Sequence, residues 1–208
     1  MKLYCATTNP GKLREFQMAF DAFIQVDALI QVDVSIQVEV LPRLGSITPP
    51  EETGLTFEEN AALKAQYYSK HCDGYLFADD SGLEVDALAG APGVYSARFA
   101  GPHASDAANN QLLISRMQGI ANRTARFVCA IALATGGRLV ETFRGEVEGR
   151  LLDAPRGDTG FGYDPLFFYP PFGCTFGEAP LDRKMDMSHR AEALRHMKAY
   201  LLSEQRLP

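Results

Sequence analysis

The sequence predicts an α/β fold over residues 1–208, a single domain that is either one body or two lobes around a cleft. Three observations carry this. A short apolar strand, residues 2–7, runs into a polar loop that opens a helix. A capped helix from Thr56 precedes the apolar run Tyr75-Leu76-Phe77-Ala78. A strong strand, Arg126 to Thr135, turns back through Gly136-Gly137 into a second extended segment. Strands alternating with helices are the signature of an α/β sheet.

Composition narrows the class. The chain has 208 residues, 46% hydrophobic and 22% charged, which is the profile of a soluble globular protein. Its formal net charge of −6 disfavours a nucleic-acid partner, because a phosphate backbone selects for basic surfaces. Cys5, Cys72, Cys129 and Cys174 form no CxxC pair, so structural thiols in a reduced, cytoplasmic compartment are expected. The start turns polar too soon for a signal peptide. No apolar run approaches the roughly 20 residues of a membrane helix, so no membrane partner is expected.

In the first loop, Asn9 is a good helix cap and Pro10 suits the first helical position. Apolar residues at 13, 16 and 20 continue with helical spacing. Free N–H groups at a helix start attract anions, and Lys12 adds a full charge. This is not a Walker A loop, which would need Gly at 6 and Ser or Thr at 13, where the chain has Ala6 and Leu13. Residues 24–41 alternate apolar and polar with a six-residue repeat, predicting one long strand or two strands meeting near Leu29 or Ser35. Pro42 to Pro50 reads as a loop. Thr56 and Glu59 form a capping box for the next helix. On it, Asn60 and Lys64 share one line at i, i+4.

Asp79-Asp80-Ser81-Gly82 follows the apolar run. The strand is expected to end at the carboxylates, with Gly82 turning the chain by positive φ and Leu83–Leu88 as a separate short strand. Adjacent carboxylates repel unless a cation compensates. A hard ion such as Mg²⁺ takes carboxylate oxygens and completes its shell with substrate phosphates; a solvated turn is the plain alternative. Residues 89–99 are rich in Gly and Pro and read as a loop, in which Arg98 is either a phosphate ligand or a structural cation. Ser105 caps a helix that ends before Gly119. Between Asp158 and Phe168 glycines alternate with aromatics, which suits either base stacking or core packing. Ser188 caps the last helix, placing His189 and Arg190 in its first turn, where cations oppose the helix dipole.

Six segments together resemble one family. They are Thr8-Asn9-Pro10-Gly11-Lys12, Glu51-Glu52-Thr53-Gly54 with Thr56 to Ala61, Ala78 to Leu83, Pro92 to Arg98, Gly160 to Pro165 and Ser188-His189-Arg190. In this order they are similar to the inosine/xanthosine triphosphate pyrophosphatases, the Ham1-like or RdgB-like enzymes. Residues 24–41 depart from that pattern, where the family has a shorter loop and strand. The resemblance implies an elongated mixed β-sheet with flanking helices, two lobes around a central cleft, and a homodimer. It implies Mg²⁺-dependent hydrolysis of ITP, dITP and XTP to the monophosphate and pyrophosphate. Position by position, it implies Asp80 as catalytic acid–base and metal ligand, and Glu51 or Glu52 as the other metal carboxylate. It implies Thr7, Thr8, Asn9, Pro10, Gly11, Lys12 and Lys64 as the triphosphate cradle, and Asp79 and Ser81 as substrate contacts. It implies Phe161, Gly162, Tyr163, Asp164, Lys184, His189 and Arg190 as the base pocket.

The chemistry is compatible. A triphosphate needs local cations, and attack at the α-phosphorus needs an ionised carboxylate to orient or deprotonate water. A buried donor left unpaired by adenine's amine would cost about 1–3 kcal/mol, favouring 6-oxo purines. Two other readings remain: a pyrophosphatase for modified pyrimidine nucleotides, as in Maf-like proteins, and a non-catalytic nucleotide sensor.

Overall fold

The computed structural model describes residues 2–19 and 37–204. Seven strands form one open mixed sheet in the order β2-β1-β3-β4-β5-β6-β7: β1 Lys2–Cys5, β2 Gln37–Val40, β3 Tyr75–Val85, β4 Thr124–Thr135, β5 Arg138–Leu151, β6 Phe167–Tyr169 and β7 Cys174–Thr175. The helices are α1 (residues 10–19), α2 Phe57–Tyr68, α3 Asp106–Arg116, α4 Leu181–Met187 and α5 His189–Glu204. β1 pairs in parallel with both β2 and β3, while β5–β6 and β6–β7 are antiparallel. Among the described residues no helix is long and apolar enough to cross a membrane.

The chain divides into two compact units. Unit 1 comprises residues 1–80, 129–145 and 190–208; unit 2 comprises residues 81–128 and 146–189. In unit 1, Leu3, Phe16, Phe77, Ala61, Ala65, Ile131, Leu133, Leu194 and Met197 are buried. Phe16 meets Phe77 edge to face at 5.2 Å. In unit 2, an aromatic cluster of Phe127, Phe167, Tyr169 and Phe176 packs with Leu83, Val85, Leu113, Met117 and Leu166.

Helix starts follow their caps. Asn9 accepts through its side chain from the Lys12 N–H at 3.0 Å, and Pro10 opens α1. Thr56 and Glu59 complete both halves of the capping box of α2. Ser105 caps α3. Gly136 and Gly137, at φ 55° and 82°, join β4 to β5, as a two-residue turn with positive φ requires.

Two expectations change. β3 does not end at the carboxylates: it runs unbroken through Asp79, Asp80, Ser81 and Gly82 to Val85, taking in the first half of the strand expected over Leu83–Leu88, while Asp86–Leu88 form a 3-10 helix. Gly82 is there for space rather than for a turn. A Cβ at this position would lie 2.3 Å from the Ser96 Oγ and 2.7 Å from the Gly93 carbonyl oxygen. That serine accepts from the Leu83 N–H at 2.9 Å and donates to the Gly93 carbonyl at 2.7 Å. The Gly/Pro-rich loop in turn contains a 3-10 helix, Gly93–Arg98. Of the alternating segment 24–41, residues 37–40 form β2; residues 24–36 lie outside the described residues.

Candidate functional site

Polar and charged side chains gather in each unit. In unit 1 the organising element is β3. Successive strand residues point to opposite faces, and its two carboxylates meet different partners. Asp79 accepts from Lys12 Nζ at 2.7 Å, and Arg190 Nη2 lies 4.0 Å away. Asp80 accepts from Lys64 Nζ at 2.9 Å and from Asn60 Nδ2 at 3.4 Å. Both carboxylates are buried.

Lys64 also reaches Glu52 Oε1 at 3.0 Å, so one ammonium joins Asp80 to the loop before α2. Glu51 is exposed. Asn60 ties that loop down. Its Oδ1 accepts from the Gly54 N–H at 2.8 Å, and its Nδ2 faces the Gly54 carbonyl at 3.4 Å. Asn60 and Lys64 lie one turn apart on α2, so both face Asp80.

On the Asp79 side, Arg190, the second residue of α5, pairs with Glu15 of α1; both side chains are 1% exposed. Arg190 also lies over the Phe16 ring. Thr7 Oγ1 accepts from the Asn9 N–H at 3.3 Å, which shapes the loop before α1. Thr8, Asn9 and Pro10 are exposed, and Gly11 is half-buried.

The neighbours divide the titrations. Burial alone would raise the Asp79 pKa, but Lys12, then Arg190 and Lys64, outweigh it and hold it below the usual carboxylate value. Burial pushes Asp80 the other way, above the usual value, and Lys64 and Lys12 only partly offset it. Burial would lower the Lys64 pKa, yet Asp80, Asp79 and Glu52 keep it raised and the ammonium charged. Cys129, buried in the same unit, is pushed up to about 12 by burial and stays a thiol.

The donor set fits a hard cation. Glu52 and Asp80 bring two carboxylate oxygens to a single point of positive charge. Among the described residues no three His, Cys, Asp or Glu side chains gather closely enough to hold a metal ion alone. Two carboxylates without a closed cage suit Mg²⁺, which keeps positions for phosphate oxygens, rather than structural zinc, which closes its shell with protein ligands.

In unit 2, residues 160–164 form a tight loop. Gly160, at φ +77°, has no room for a Cβ, which would lie 2.1 Å from Asp164 Oδ2. That carboxylate accepts from the Phe161 N–H at 2.9 Å and from Lys184 Nζ at 2.6 Å. The ammonium of Lys184, 2% exposed, lies 5.1 Å from the Phe161 ring centre and 5.5 Å from that of Phe176. Tyr163 is buried and donates to the Ser96 carbonyl at 2.9 Å; burial raises its phenol pKa. His189 stacks on Phe127 at 5.0 Å and 13°. A half-buried aromatic beside a buried cation can take a planar ring on its face.

The expected cradle residues Lys12 and Lys64 thus meet Asp79 and Asp80 within unit 1. Phe161, Asp164 and Lys184 meet within unit 2. Arg190, expected with the base pocket, has Glu15 and Asp79 as partners. Arg98 lies over the Tyr95 ring at 5.2 Å. Sequence reasoning passed over Glu15 and the clamp of Asn60 on Gly54. Glu15 stands three residues beyond Lys12 on one helix face, the one local signal that could have found it.

The Ham1 family matches residues 3–200. The dITP/XTP pyrophosphatase of Exiguobacterium sp. strain AT1b is 48% identical over 204 residues, 97% of each chain. That of Listeria monocytogenes strain EGD-e is 45% identical over 204 residues, 97% of this chain and 95% of that one. Among solved structures, the Staphylococcus aureus Ham1 protein superposes with a TM-score of 0.83 at 36% identity, covering 98% of this chain and 100% of the other. The Mycobacterium abscessus nucleoside-triphosphatase / dITP/XTP pyrophosphatase gives a TM-score of 0.69 at 37% identity, covering 95% and 97%.

Proposed function

The chain belongs to the Ham1 family, and from that premise we propose that it cleaves ITP, dITP and XTP to the nucleoside monophosphate and pyrophosphate, using Mg²⁺, and so clears damaged purines from the nucleotide pool. It is a nucleoside-triphosphate pyrophosphatase, like its relatives. The observation that carries the site assignment is Lys64 held between Glu52 and Asp80, with Lys12 on Asp79.

In this reading Asp80 takes the proton from the attacking water. Its raised pKa makes it a stronger base than an ordinary carboxylate. Lys12 and Lys64 exchange their carboxylate partners for phosphate oxygens when substrate arrives. Glu52 and Asp80 would hold the metal, with Glu52 preferred over the exposed Glu51 for its place beside Lys64. A bound Mg²⁺ would supply neutralisation of the charge on the departing pyrophosphate. In unit 2, Phe161 stacks on the base, and Lys184, fixed by Asp164, supports that platform.

The resemblance also supports a homodimer acting in the cytoplasm, and the four free cysteines suit a reducing compartment. The test is direct. With Mg²⁺ and ITP the protein should yield IMP and pyrophosphate, and chelation should abolish turnover. Release of IDP and inorganic phosphate would place the cut at the wrong bond. A preference for modified pyrimidine triphosphates over XTP would move the substrate class. Sedimentation reports the oligomeric state.

A further inference from the structure

We propose that Asp106 and Asn110, on the first turns of α3, are positioning residues that fix Phe161 as the base platform. The proposal rests on the reading above that Phe161 meets the base.

Phe161 lies between Gly160 and Gly162, both at positive φ, 77° and 61°. Glycine has the widest conformational freedom of any residue, so a ring between two glycines points nowhere in particular unless its peptide groups are held. Here both are. The peptide before Phe161 is held by its own N–H, donated to Asp164 Oδ2 at 2.9 Å. The peptide after it is held by the Gly162 N–H, donated to Asp106 Oδ2 at 2.7 Å. Asn110 Nδ2 then donates to the Gly162 carbonyl at 2.9 Å. Asp106 and Asn110 are four residues apart, so one helix face grips both backbone groups of a single glycine.

Lys184 supports the ring from one side, 5.1 Å from its centre, whereas the two tethers act on the peptide groups that carry it. Between α3 and the loop lies a cavity of about 400 Å³, lined among others by Ala107, Asn110, Ile114, Pro155 and Gly160. A loop cut from its two tethers has space to sink into, and the ring would move with it. None of the phosphate chemistry uses Asp106 or Asn110, so their effect falls on base binding.

The test is kinetic. Asp106→Ala and Asn110→Ala should each raise KM for XTP by about 5- to 30-fold, the effect of one lost tether, with kcat changing far less. Inhibition by pyrophosphate, which has no base, should be unaltered. Asp106→Asn keeps an acceptor for the Gly162 N–H and should recover most of the lost KM. If Asp106→Ala does not fold, Asn110→Asp is read the same way, since it sets an acceptor against the Gly162 carbonyl. Unchanged KM in both alanine variants, alongside a raised KM in Phe161→Ala, would overturn the proposal. So would an Asp106→Asn variant as impaired as Asp106→Ala. An unchanged KM in Phe161→Ala would instead overturn the base-platform reading itself.

Discussion

Lys64→Met isolates the electrostatics at Asp80. Methionine keeps the length and apolar stem of lysine and removes its charge. The ammonium stands 2.9 Å from Asp80 Oδ1 and 3.0 Å from Glu52 Oε1, with the Lys64 and Asp80 side chains 13% and 10% exposed. Little water screens the pair, so its loss is felt close to fully. A hydrogen bond between charged groups contributes about 1.5–3 kcal/mol, a factor of about 10–150 in an equilibrium constant. Here that equilibrium is the ionisation of Asp80, which already lies above the usual carboxylate value because of burial. Removing Lys64 raises it further. A general base works only when ionised, so kcat/KM falls as pH drops through this pKa. The assay is kcat/KM for XTP from acid to mildly alkaline pH, in both proteins, at saturating Mg²⁺. Loss of a phosphate contact lowers the whole variant profile. Loss of the ion pair moves its acid limb to higher pH, so at acid pH the ratio of the two proteins grows by a further factor of about 10–150. Profiles that stay parallel at every pH would refute the reasoning: Lys64 would then bind phosphate without tuning Asp80.

Asp80→Asn should lower turnover by about 10²- to 10⁴-fold, the usual contribution of a positioned base, while thermal melting shows a folded protein; near-normal rates would remove Asp80 from the chemistry. Gly82→Ala forces a methyl against the Ser96 Oγ and the Gly93 carbonyl and should cost about 1–3 kcal/mol in denaturant unfolding, whereas a harmless substitution would mean that this contact is loose. Asp79→Asn should destabilise the fold by about 3–5 kcal/mol at neutral pH, because it strands Lys12 without its carboxylate and removes one of the two carboxylates beside Arg190. The sign with pH follows from the depressed Asp79 pKa: its stabilisation is complete above the ordinary carboxylate value and is lost as pH falls through the folded one. The two stability curves should therefore converge in acid, and a constant gap would assign the loss to packing.

Much of the fold was legible because its signals are local. Asn9-Pro10, the Thr56–Glu59 box, Ser105 and the Gly136-Gly137 pair each act within four residues of themselves, and each marks a boundary in the structure. Gly82 misled for the complementary reason. Read locally, a glycine after Asp-Asp-Ser is punctuation, but its cause is Ser96, which only the folded chain brings to it. The site divides in the same way. The i, i+4 spacing put Asn60 and Lys64 on one line, and the structure turns that line to Asp80. The partner of Glu15 lies 175 positions along the chain, and no periodicity reports a pairing of that range.

Adjacent carboxylates raise a question that the pleat of β3 answers. Side by side on one face, Asp79 and Asp80 would repel, and one would hold a proton at the other's expense. On a strand they point apart, and each acquires its own surroundings. Asp79 turns to Lys12 and Arg190, the latter locked by Glu15, and, with its pKa held below the usual carboxylate value, becomes an anchor for α1 and α5. Asp80 turns to one ammonium and one amide, is buried with less compensation, and is left the more basic of the two. Environments that drive two carboxylates in opposite directions separate their roles. One holds the framework that presents Lys12, and the other is available for a proton. An unbroken β3 is what makes this possible: the strand continues past both carboxylates to Val85, and its pleat sets the two side chains on opposite faces.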